Sequence, residues 1–257
     1  MALAGEVKDP KLLDSAEVTI TSSDRHPLEA YLARPKAAGK YPGLIVVHEA
    51  WGVNDHIRDV VRRFANVGFI AVAPDLYTRV GKPGAKDPMP DVLAKMFALN
   101  DAQIVQDLEA AAAFLRSQPG ANGKVGAVGF CFGGRSVLLF ASSSDKVDAT
   151  VDCWGGFIDR ATPDAQTTAA RPRPVIDLGD RLHGPIYVVV GAEDQNPSPA
   201  HGDALKARLE KAGKQVTLEV FADAGHAFFA DYRPTYREKA AFALWPKMTT
   251  FLKKHLA

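Results

Sequence analysis

The sequence predicts an α/β fold in which helices cover both faces of a mostly parallel central sheet and an antiparallel hairpin precedes the parallel strands. Short runs rich in β-branched residues alternate with helical stretches along most of the chain. The composition is that of a globular protein, with 47% hydrophobic and 24% charged residues in a chain of 257. This length allows one substantial core. We therefore expect a single domain spanning residues 1–257.

Each element is predicted from hydrophobic period and from helix and turn signals. The predicted strands span residues 17–21 and 28–34, which form the hairpin, then 44–47, 69–73, 124–130, 149–154, 186–190 and 215–221. The predicted helices span residues 56–66 with Asp55 as cap, 91–99, 101–117, a stretch beginning near Gly133, 199–211 and 236–256. Residues 77–90 contain prolines and glycines without periodicity and predict a long loop. Residues 155–183 have no clear pattern.

The charge balance excludes several classes of partner. Thirty-one basic and thirty acidic residues give a net charge of +1, so we expect no nucleic-acid or membrane partner. Charged residues interrupt the first twenty positions, and no apolar run could span a bilayer, which predicts a cytoplasmic protein. We expect it to be a monomer or a small homo-oligomer. The two cysteines lie in no metal-ligand pattern, so we expect no metal site and no disulfide framework.

Cys131 is the predicted nucleophile. It lies between Gly129 and Gly133, at the point where a predicted strand turns sharply into a helix. This is the context of the nucleophile elbow of α/β-hydrolase enzymes, with cysteine in place of serine. The glycines are expected because side chains there would collide with the neighbouring strand and helix. A thiol at a helix N-terminus also experiences a partial positive charge, which favours the thiolate. The alternative is a buried, inert cysteine.

A thiol nucleophile requires a base, and on this fold the acid and the histidine follow it in chain order. Asp194 follows the strand at residues 186–190, and His226 follows the last strand. Glu193 is an alternative acid. His183, which precedes a strand, is the histidine that competes with His226. We favour Asp194, since it lies one residue further out, where the loop can turn back toward His226.

The oxyanion of an acyl-transfer reaction requires two N–H donors. These are expected from Phe132, which follows the nucleophile, and from Ala50, in the loop after the third strand. Glu49 lies in the same loop, where a simple esterase has no need of a carboxylate. From the residues alone, Glu49 is either functional or a solvent-facing loop side chain.

Several spaced motifs resemble the dienelactone hydrolase (carboxymethylenebutenolidase) family over nearly the whole chain, from about residue 18 to residue 256. They are His48-Glu49-Ala50-Trp51-Gly52, Ala73-Pro74-Asp75-Leu76-Tyr77, Gly129-Phe130-Cys131-Phe132-Gly133-Gly134, Glu193-Asp194-Gln195-Asn196 and Gly225-His226-Ala227-Phe228. The resemblance implies a Cys131–His226–Asp194 triad that needs no metal or organic cofactor. It also implies that Glu49 contacts the resting thiol and helps convert it to thiolate when substrate binds.

The resemblance further implies a substrate of aromatic catabolism, a small lactone that carries a carboxylate. Arginines suit such a group because they bind carboxylates in a bidentate manner. Arg79 matches one arginine of the family. The family's second arginine would fall on Ala230, so the nearest candidate is Arg233, which could instead cap the following helix. This departure leaves the exact substrate open.

Two further sets of alternatives remain at this stage. Trp154, Phe228 and Tyr77 could line an apolar pocket, although aromatic residues at strand ends also serve as core. The leading function is hydrolysis of a carboxylate-bearing lactone through an acyl-enzyme. One alternative is a broader esterase or thioesterase with the same triad, and another is a non-catalytic or redox-sensing protein in which Cys131 is oxidised.

Overall fold

The structure, a computed structural model, describes residues 3–84, 86–159 and 167–257. Its described strands form one sheet in the order β1-β2-β4-β3-β5-β6-β7-β8. The β1–β2 and β2–β4 pairs are antiparallel, and every pair from β4 through β3 to β8 is parallel. The strands are β1 Leu13–Thr21, β2 Pro27–Pro35, β3 Tyr41–Val47, β4 Ile70–Pro74, β5 Ala121–Phe130, β6 Ala149–Cys153, β7 Ile186–Gly191 and β8 Val216–Phe221.

Helices cover both faces of the sheet and produce two hydrophobic cores. Helices α1 and α6 pack on one face, and α2 to α5 pack on the other. The helices are α1 Asp55–Asn66, α2 Met89–Ala98, α3 Asp101–Arg116, α4 Phe132–Ala141, α5 Pro199–Lys211 and α6 Glu238–Leu256. Every residue of β4, β6 and β7 is buried, as expected for parallel strands with both faces covered. The predicted α/β-hydrolase architecture is therefore confirmed.

The direction of the strands brings four loops together. Strands β3, β5, β7 and β8 run parallel, so their carboxyl ends meet at one edge of the sheet. The loops that leave these ends carry Glu49, Cys131, Asp194 and His226. Residues separated by up to 177 positions in the sequence are thus candidates for one site, as is usual in open α/β sheets.

Several predicted boundaries were wrong in detail. Asn54, not Asp55, caps α1, because its side-chain oxygen accepts the Ile57 N–H at 3.0 Å. Strand β5 begins three residues earlier than predicted, since Ala121 already pairs with Tyr41 of β3. The carboxyl-terminal helix begins at Glu238 rather than at residue 236. Such shifts are expected where neighbouring residues have similar capping or strand propensity.

The two predicted irregular segments contain some helical structure. Residues 77–90 include most of a short 3-10 helix, Leu76–Arg79, and the first turn of α2. Within residues 155–183, the structure has a 3-10 helix at Val175–Arg181, whereas residues 160–166 lie outside the described part of the chain. Across the described ranges, no helix combines the length and apolar character that crossing a membrane requires.

The turn from β5 into α4 is very closely packed. A Cβ atom on Gly129 would lie 2.0 Å from the Gly133 carbonyl oxygen, and one on Gly133 would lie 2.2 Å from the Val47 carbonyl oxygen. Both contacts are with backbone, which cannot move aside as a flexible side chain can. Only glycine is compatible with this turn, as the sequence predicted.

Substituting Gly129 should therefore destabilise the fold. We expect Gly129→Ala to lower the free energy of unfolding by about 3 kcal/mol or more, because the methyl group must displace backbone. Gly213→Ala is the matched control: Gly213 has a φ of +70° but no neighbour within 4 Å, so only backbone strain of about 1 kcal/mol is expected. Urea denaturation of both variants measures the difference, and equal losses would contradict the packing argument.

Candidate active site

Cys131 lies at the tip of the turn between β5 and α4. Its φ of 57° and ψ of −116° are unusual for a residue with a side chain. The Cys131 N–H donates to the Cys153 carbonyl oxygen at 3.0 Å, which fixes the turn to the neighbouring strand β6. The side chain is half-buried, and α4 begins at the next residue. The thiol is therefore accessible and lies at the positive end of a helix dipole.

His226 and Asp194 form a hydrogen-bonded pair. The His226 Nδ1 atom lies 2.8 Å from Asp194 Oδ2, and the Asn196 N–H donates to the other Asp194 oxygen at 2.9 Å. Asp194 is buried, whereas the His226 side chain is one-third exposed at 33%. The aspartate thus orients the imidazole, which also hydrogen-bonds the Cys131 side chain.

The charge on His226 is favoured by its neighbours. Burial lowers the pKa of the imidazole, whereas the Cys131 sulfur and the Asp194 carboxylate raise it. The raising effects prevail, and the pKa of His226 lies well above its ordinary value. The site therefore stabilises an imidazolium beside the thiol.

Among the alternatives, Glu193 is exposed, and its side chain does not line the cavity described below. His183 is exposed as well and precedes β7 at the opposite end of the strand from Asp194. The structure thus brings together Asp194 and His226, the pair that chain order favoured.

A cavity of about 300 Å³ opens beside these residues. Its polar lining includes Cys131, His226, Asp194, Glu49 and Arg233. The remaining wall is largely apolar and comprises Ala50, Trp51, Met89, Leu93, Met96, Phe132 and Phe157. A small organic ester with one charged group matches this combination of size and lining.

Glu49 is buried in the cavity wall, with 2% of its surface exposed. The Tyr232 hydroxyl donates to Glu49 Oε2 at 3.2 Å, and Arg233 Nη1 lies 3.8 Å from Glu49 Oε1. Within the described residues, Oε1 has no hydrogen-bond partner. The interpretation of Glu49 as a solvent-facing loop side chain is wrong, because the side chain is buried in the cavity lining.

Ala50 and Phe132, the expected oxyanion donors, both line the cavity. Ala50 is held by the Tyr77 hydroxyl, which donates to its carbonyl oxygen at 2.8 Å. Phe132 is the first residue of α4, so its N–H is one of the helix N-terminal groups without an intrahelical acceptor. Both backbone segments therefore adjoin the thiol.

Arg79 does not reach the cavity, which corrects the expectation that it binds the substrate. Its guanidinium donates to both oxygens of the buried Asp107, at 2.6 and 2.8 Å, and to both oxygens of Asp24, at 2.8 and 3.1 Å. These contacts hold the pKa of Asp24 down, at about 2. Arg79 is thus engaged by two carboxylates, whereas Arg233 lines the cavity.

Trp154, Phe228 and Tyr77 also differ from the expectation that they line the pocket. All three are almost completely buried, and none contributes to the cavity wall. Trp154 packs on Phe228 with ring centroids 4.6 Å apart, and Tyr77 stacks on His48. They are core residues, which was the alternative reading.

The apolar wall instead comes from residues that the sequence did not single out. Met89, Leu93 and Met96 of α2 line the cavity, together with Phe157 from the irregular segment after β6. Their spacing of four and three residues places them on one face of the helix, a signal that the sequence contained. The predicted start of this helix at residue 91 left Met89 in a loop and obscured the stripe.

Comparison with known proteins agrees with this geometry. Residues 28–256 match the model of the dienelactone hydrolase family. A protein of Methylorubrum extorquens assigned as a carboxymethylenebutenolidase is 34% identical over 96% of this chain and 83% of its own length. One from Salmonella typhimurium with the same assignment is 33% identical over 94% of this chain and 88% of its own.

A solved structure shows the same likeness. The crystal structure of a protein from Klebsiella pneumoniae assigned as a dienelactone hydrolase superposes with a TM-score of 0.87 and 31% identity, covering 94% of this chain and 99% of the other. Sequence and structure thus agree along nearly the full length of the chain. The chain belongs to the dienelactone hydrolase family and is a carboxylic ester hydrolase.

Proposed function

We propose that this protein hydrolyses a carboxylate-bearing enol lactone through an acyl-enzyme on Cys131, with His226 and Asp194 completing a catalytic triad. The observation that carries the proposal is the meeting of these three side chains at one cavity, with His226 Nδ1 2.8 Å from Asp194 Oδ2. The names of the relatives support the substrate class, since a carboxymethylene-butenolide is an unsaturated lactone with a carboxylate side arm.

In the first half of the reaction, the Cys131 thiolate attacks the lactone carbonyl carbon. A carbon–sulfur bond forms, and the carbonyl electron pair moves to the oxygen, which the N–H groups of Ala50 and Phe132 stabilise. The intermediate collapses, the ring carbon–oxygen bond breaks, and the leaving enolate oxygen takes a proton from the His226 imidazolium. The product of this half is a thioester on Cys131.

In the second half, neutral His226 accepts a proton from a water molecule as the water oxygen attacks the thioester carbonyl. The carbon–sulfur bond breaks, and Cys131 leaves as the thiolate beside the imidazolium. The released product carries a new carboxylic acid, and its enol tautomerises to a ketone. Overall, one water molecule is consumed per lactone, and the enzyme returns to its starting state.

We further propose that Glu49 and Arg233 sense the substrate carboxylate. At rest they lie 3.8 Å apart, close enough for attraction but too far for a strong hydrogen bond. An incoming carboxylate can form bidentate hydrogen bonds with Arg233, which releases Glu49 from its partner. Glu49 lines the same cavity as the thiol, so once released its carboxylate can accept the Cys131 proton before the attack, and it returns that proton to the sulfur after the product leaves.

A broader esterase or thioesterase activity is the second candidate, and one observation favours it. Arg79 is engaged by Asp107 and Asp24, so among the residues that the structure describes Arg233 is the single arginine of the cavity, and most of the described wall is apolar. Weaker charge recognition permits neutral acyl groups. Comparing dienelactone with p-nitrophenyl acetate separates the two candidates, since a higher kcat/KM for the neutral ester favours the second.

The nucleophile is tested by replacing each cysteine in turn. We expect Cys131→Ala to lose at least about 10³-fold in kcat, because among the described residues of the cavity no other side chain is a thiol or hydroxyl that could form the acyl-enzyme. Cys153→Ala is the control: its thiol is buried against the Met248 sulfur at 3.6 Å, away from the cavity. Hydrolysis of dienelactone measures both, and full activity in Cys131→Ala would exclude the proposed mechanism.

The role of Asp194 is tested through the titration of His226. We expect Asp194→Asn to lower the pKa of His226, because a carboxylate that stabilises the imidazolium is replaced by a neutral amide. The turnover rate should fall by about 10² to 10⁴-fold. NMR titration of the imidazole measures the first effect and steady-state kinetics the second. Glu193→Gln, which changes an exposed carboxylate next in sequence, should leave both unaffected.

Carboxylate recognition is tested with a matched pair of arginine variants. We expect Arg233→Gln to lower kcat/KM for dienelactone about 10 to 100-fold while changing that for p-nitrophenyl acetate far less, since only the first substrate carries a carboxylate. Arg79→Gln should leave the ratio of the two values unchanged, although it reduces stability because buried Asp107 loses its charged partner and keeps only the Ser22 hydroxyl. An equal loss on both substrates in Arg233→Gln would argue against this role.

A further inference from the structure

His48 is a buried polar residue that the mechanism above does not use. It follows β3 directly, precedes Glu49 and has no exposed surface. Its side chain does not line the cavity, so it cannot contact the substrate. Burial lowers its pKa, which keeps the imidazole neutral. Both ring nitrogen atoms of this neutral, fully buried histidine have hydrogen-bond partners.

The hydrogen bonds of His48 define its tautomer. The Leu76 backbone N–H donates to Nε2 at 3.2 Å, so Nε2 carries no proton. The Asp75 carboxylate, 3.7 Å from Nε2, accepts instead from the Tyr77 N–H and pairs with Lys82. The proton is therefore on Nδ1, and Nδ1–H donates to the Glu49 carbonyl oxygen at 2.7 Å.

The Glu49 carbonyl belongs to the same peptide unit as the Ala50 N–H. This oxygen accepts from two donors, His48 Nδ1 and the Gly52 N–H at 3.2 Å. Because a trans peptide is planar, its C=O and N–H point in opposite directions, and holding one fixes the other. Two donors on the carbonyl also polarise the peptide, which makes the Ala50 N–H a better donor.

The His48 ring also contacts the second oxyanion segment. Its centroid lies 5.8 Å from that of Phe132 and 5.3 Å from that of Tyr77. The Tyr77 hydroxyl in turn donates to the Ala50 carbonyl oxygen at 2.8 Å. His48 therefore contacts the Phe132 ring and binds the peptide that contains the Ala50 N–H, so it touches both residues whose N–H groups face the reacting carbonyl in the proposed mechanism.

We propose that His48 is a positioning residue of the oxyanion hole: its Nδ1–H holds the Glu49–Ala50 peptide so that the Ala50 N–H is directed at the developing oxyanion. The inference rests on the proposed function, since it requires an acyl transfer at Cys131. A backbone N–H cannot be removed by substitution of its own side chain, so His48 offers experimental access to this donor.

Two amide variants test the roles of the two nitrogen atoms of His48 separately. His48→Asn places an amide nitrogen near the position of Nδ1, so it keeps the donor to the Glu49 carbonyl and loses the acceptor for Leu76. His48→Gln places its terminal amide near the position of Nε2, so it can accept from Leu76 and loses the donor to Glu49. Both variants put a neutral polar group of similar size into the same site.

Two reactions of the thiol provide the readouts. The burst of p-nitrophenol from p-nitrophenyl acetate measures acylation, which develops an oxyanion. Alkylation by iodoacetamide measures thiolate reactivity and access, and it develops no oxyanion. In His48→Gln we expect the acylation rate to fall about 10 to 100-fold, because a misdirected donor loses much of its value. The alkylation rate should stay within about twofold, and His48→Asn should retain most of the acylation rate.

Three other outcomes would overturn the inference. Unchanged acylation in His48→Gln overturns the inference, and so does an equal loss of acylation and alkylation, which indicates a purely structural role. If His48→Gln does not fold, a loss of acylation in a folded His48→Asn that alkylates normally also overturns it. Failure of the proposed function is distinguishable, because Cys131→Ala would then retain turnover.

Discussion

The close packing of the α4 backbone against the ends of β3 and β5 is the constraint on which the site depends. Gly129 and Gly133 permit this approach because neither carries a Cβ atom. The chain can then reverse direction at Cys131 only through an unusual backbone conformation, with φ at 57°. The strain is concentrated on the residue whose side chain must be exposed, and the surrounding sheet supplies the packing that maintains it.

This geometry also determines which groups the thiol meets. Parallel strands place the loops after β3, β7 and β8 at the same edge of the sheet as Cys131. The electrostatic arrangement follows from it, because a buried Asp194 orients His226 from behind while the helix dipole of α4 acts on the sulfur. Two buried carboxylates therefore line one cavity, Asp194 bound to the imidazole and Glu49 bound to the Tyr232 hydroxyl.

Local signals in the sequence were sufficient for most of the fold and for the charged and nucleophilic residues that share the cavity. The spacing of glycines around Cys131 and the apolar runs of the strands are local signals. They identify the turn, the strands and the order of the site residues without knowledge of contacts between distant segments. Arg79 could not be assigned this way. Its partners, Asp24 and Asp107, are 55 and 28 positions away, and only the folded chain shows that they occupy the guanidinium.

The same reasoning explains the misplaced aromatic residues. Tyr77 and Trp154 follow strand ends, where a side chain can turn either into the cavity or under it, and the sequence does not distinguish these directions. The cavity wall is completed by α2 and the irregular segment after β6, which are the parts with the weakest sequence signals. Packing between distant elements, rather than local propensity, decided those positions.

Arg233, which lines the cavity, lies in a loop that contacts helix α1. Its neighbour Asp231 is bound to α1, with an oxygen 2.5 Å from Arg63 Nη2 and another 3.1 Å from His56 Nδ1. Helix α1 also follows the loop that carries Glu49, so the segments that carry Glu49 and Arg233 both adjoin this helix. In the proposed mechanism, a substrate carboxylate bound to Arg233 would replace the 3.8 Å ion pair with Glu49, while the hydrogen bond from the Tyr232 hydroxyl to Glu49 at 3.2 Å would remain.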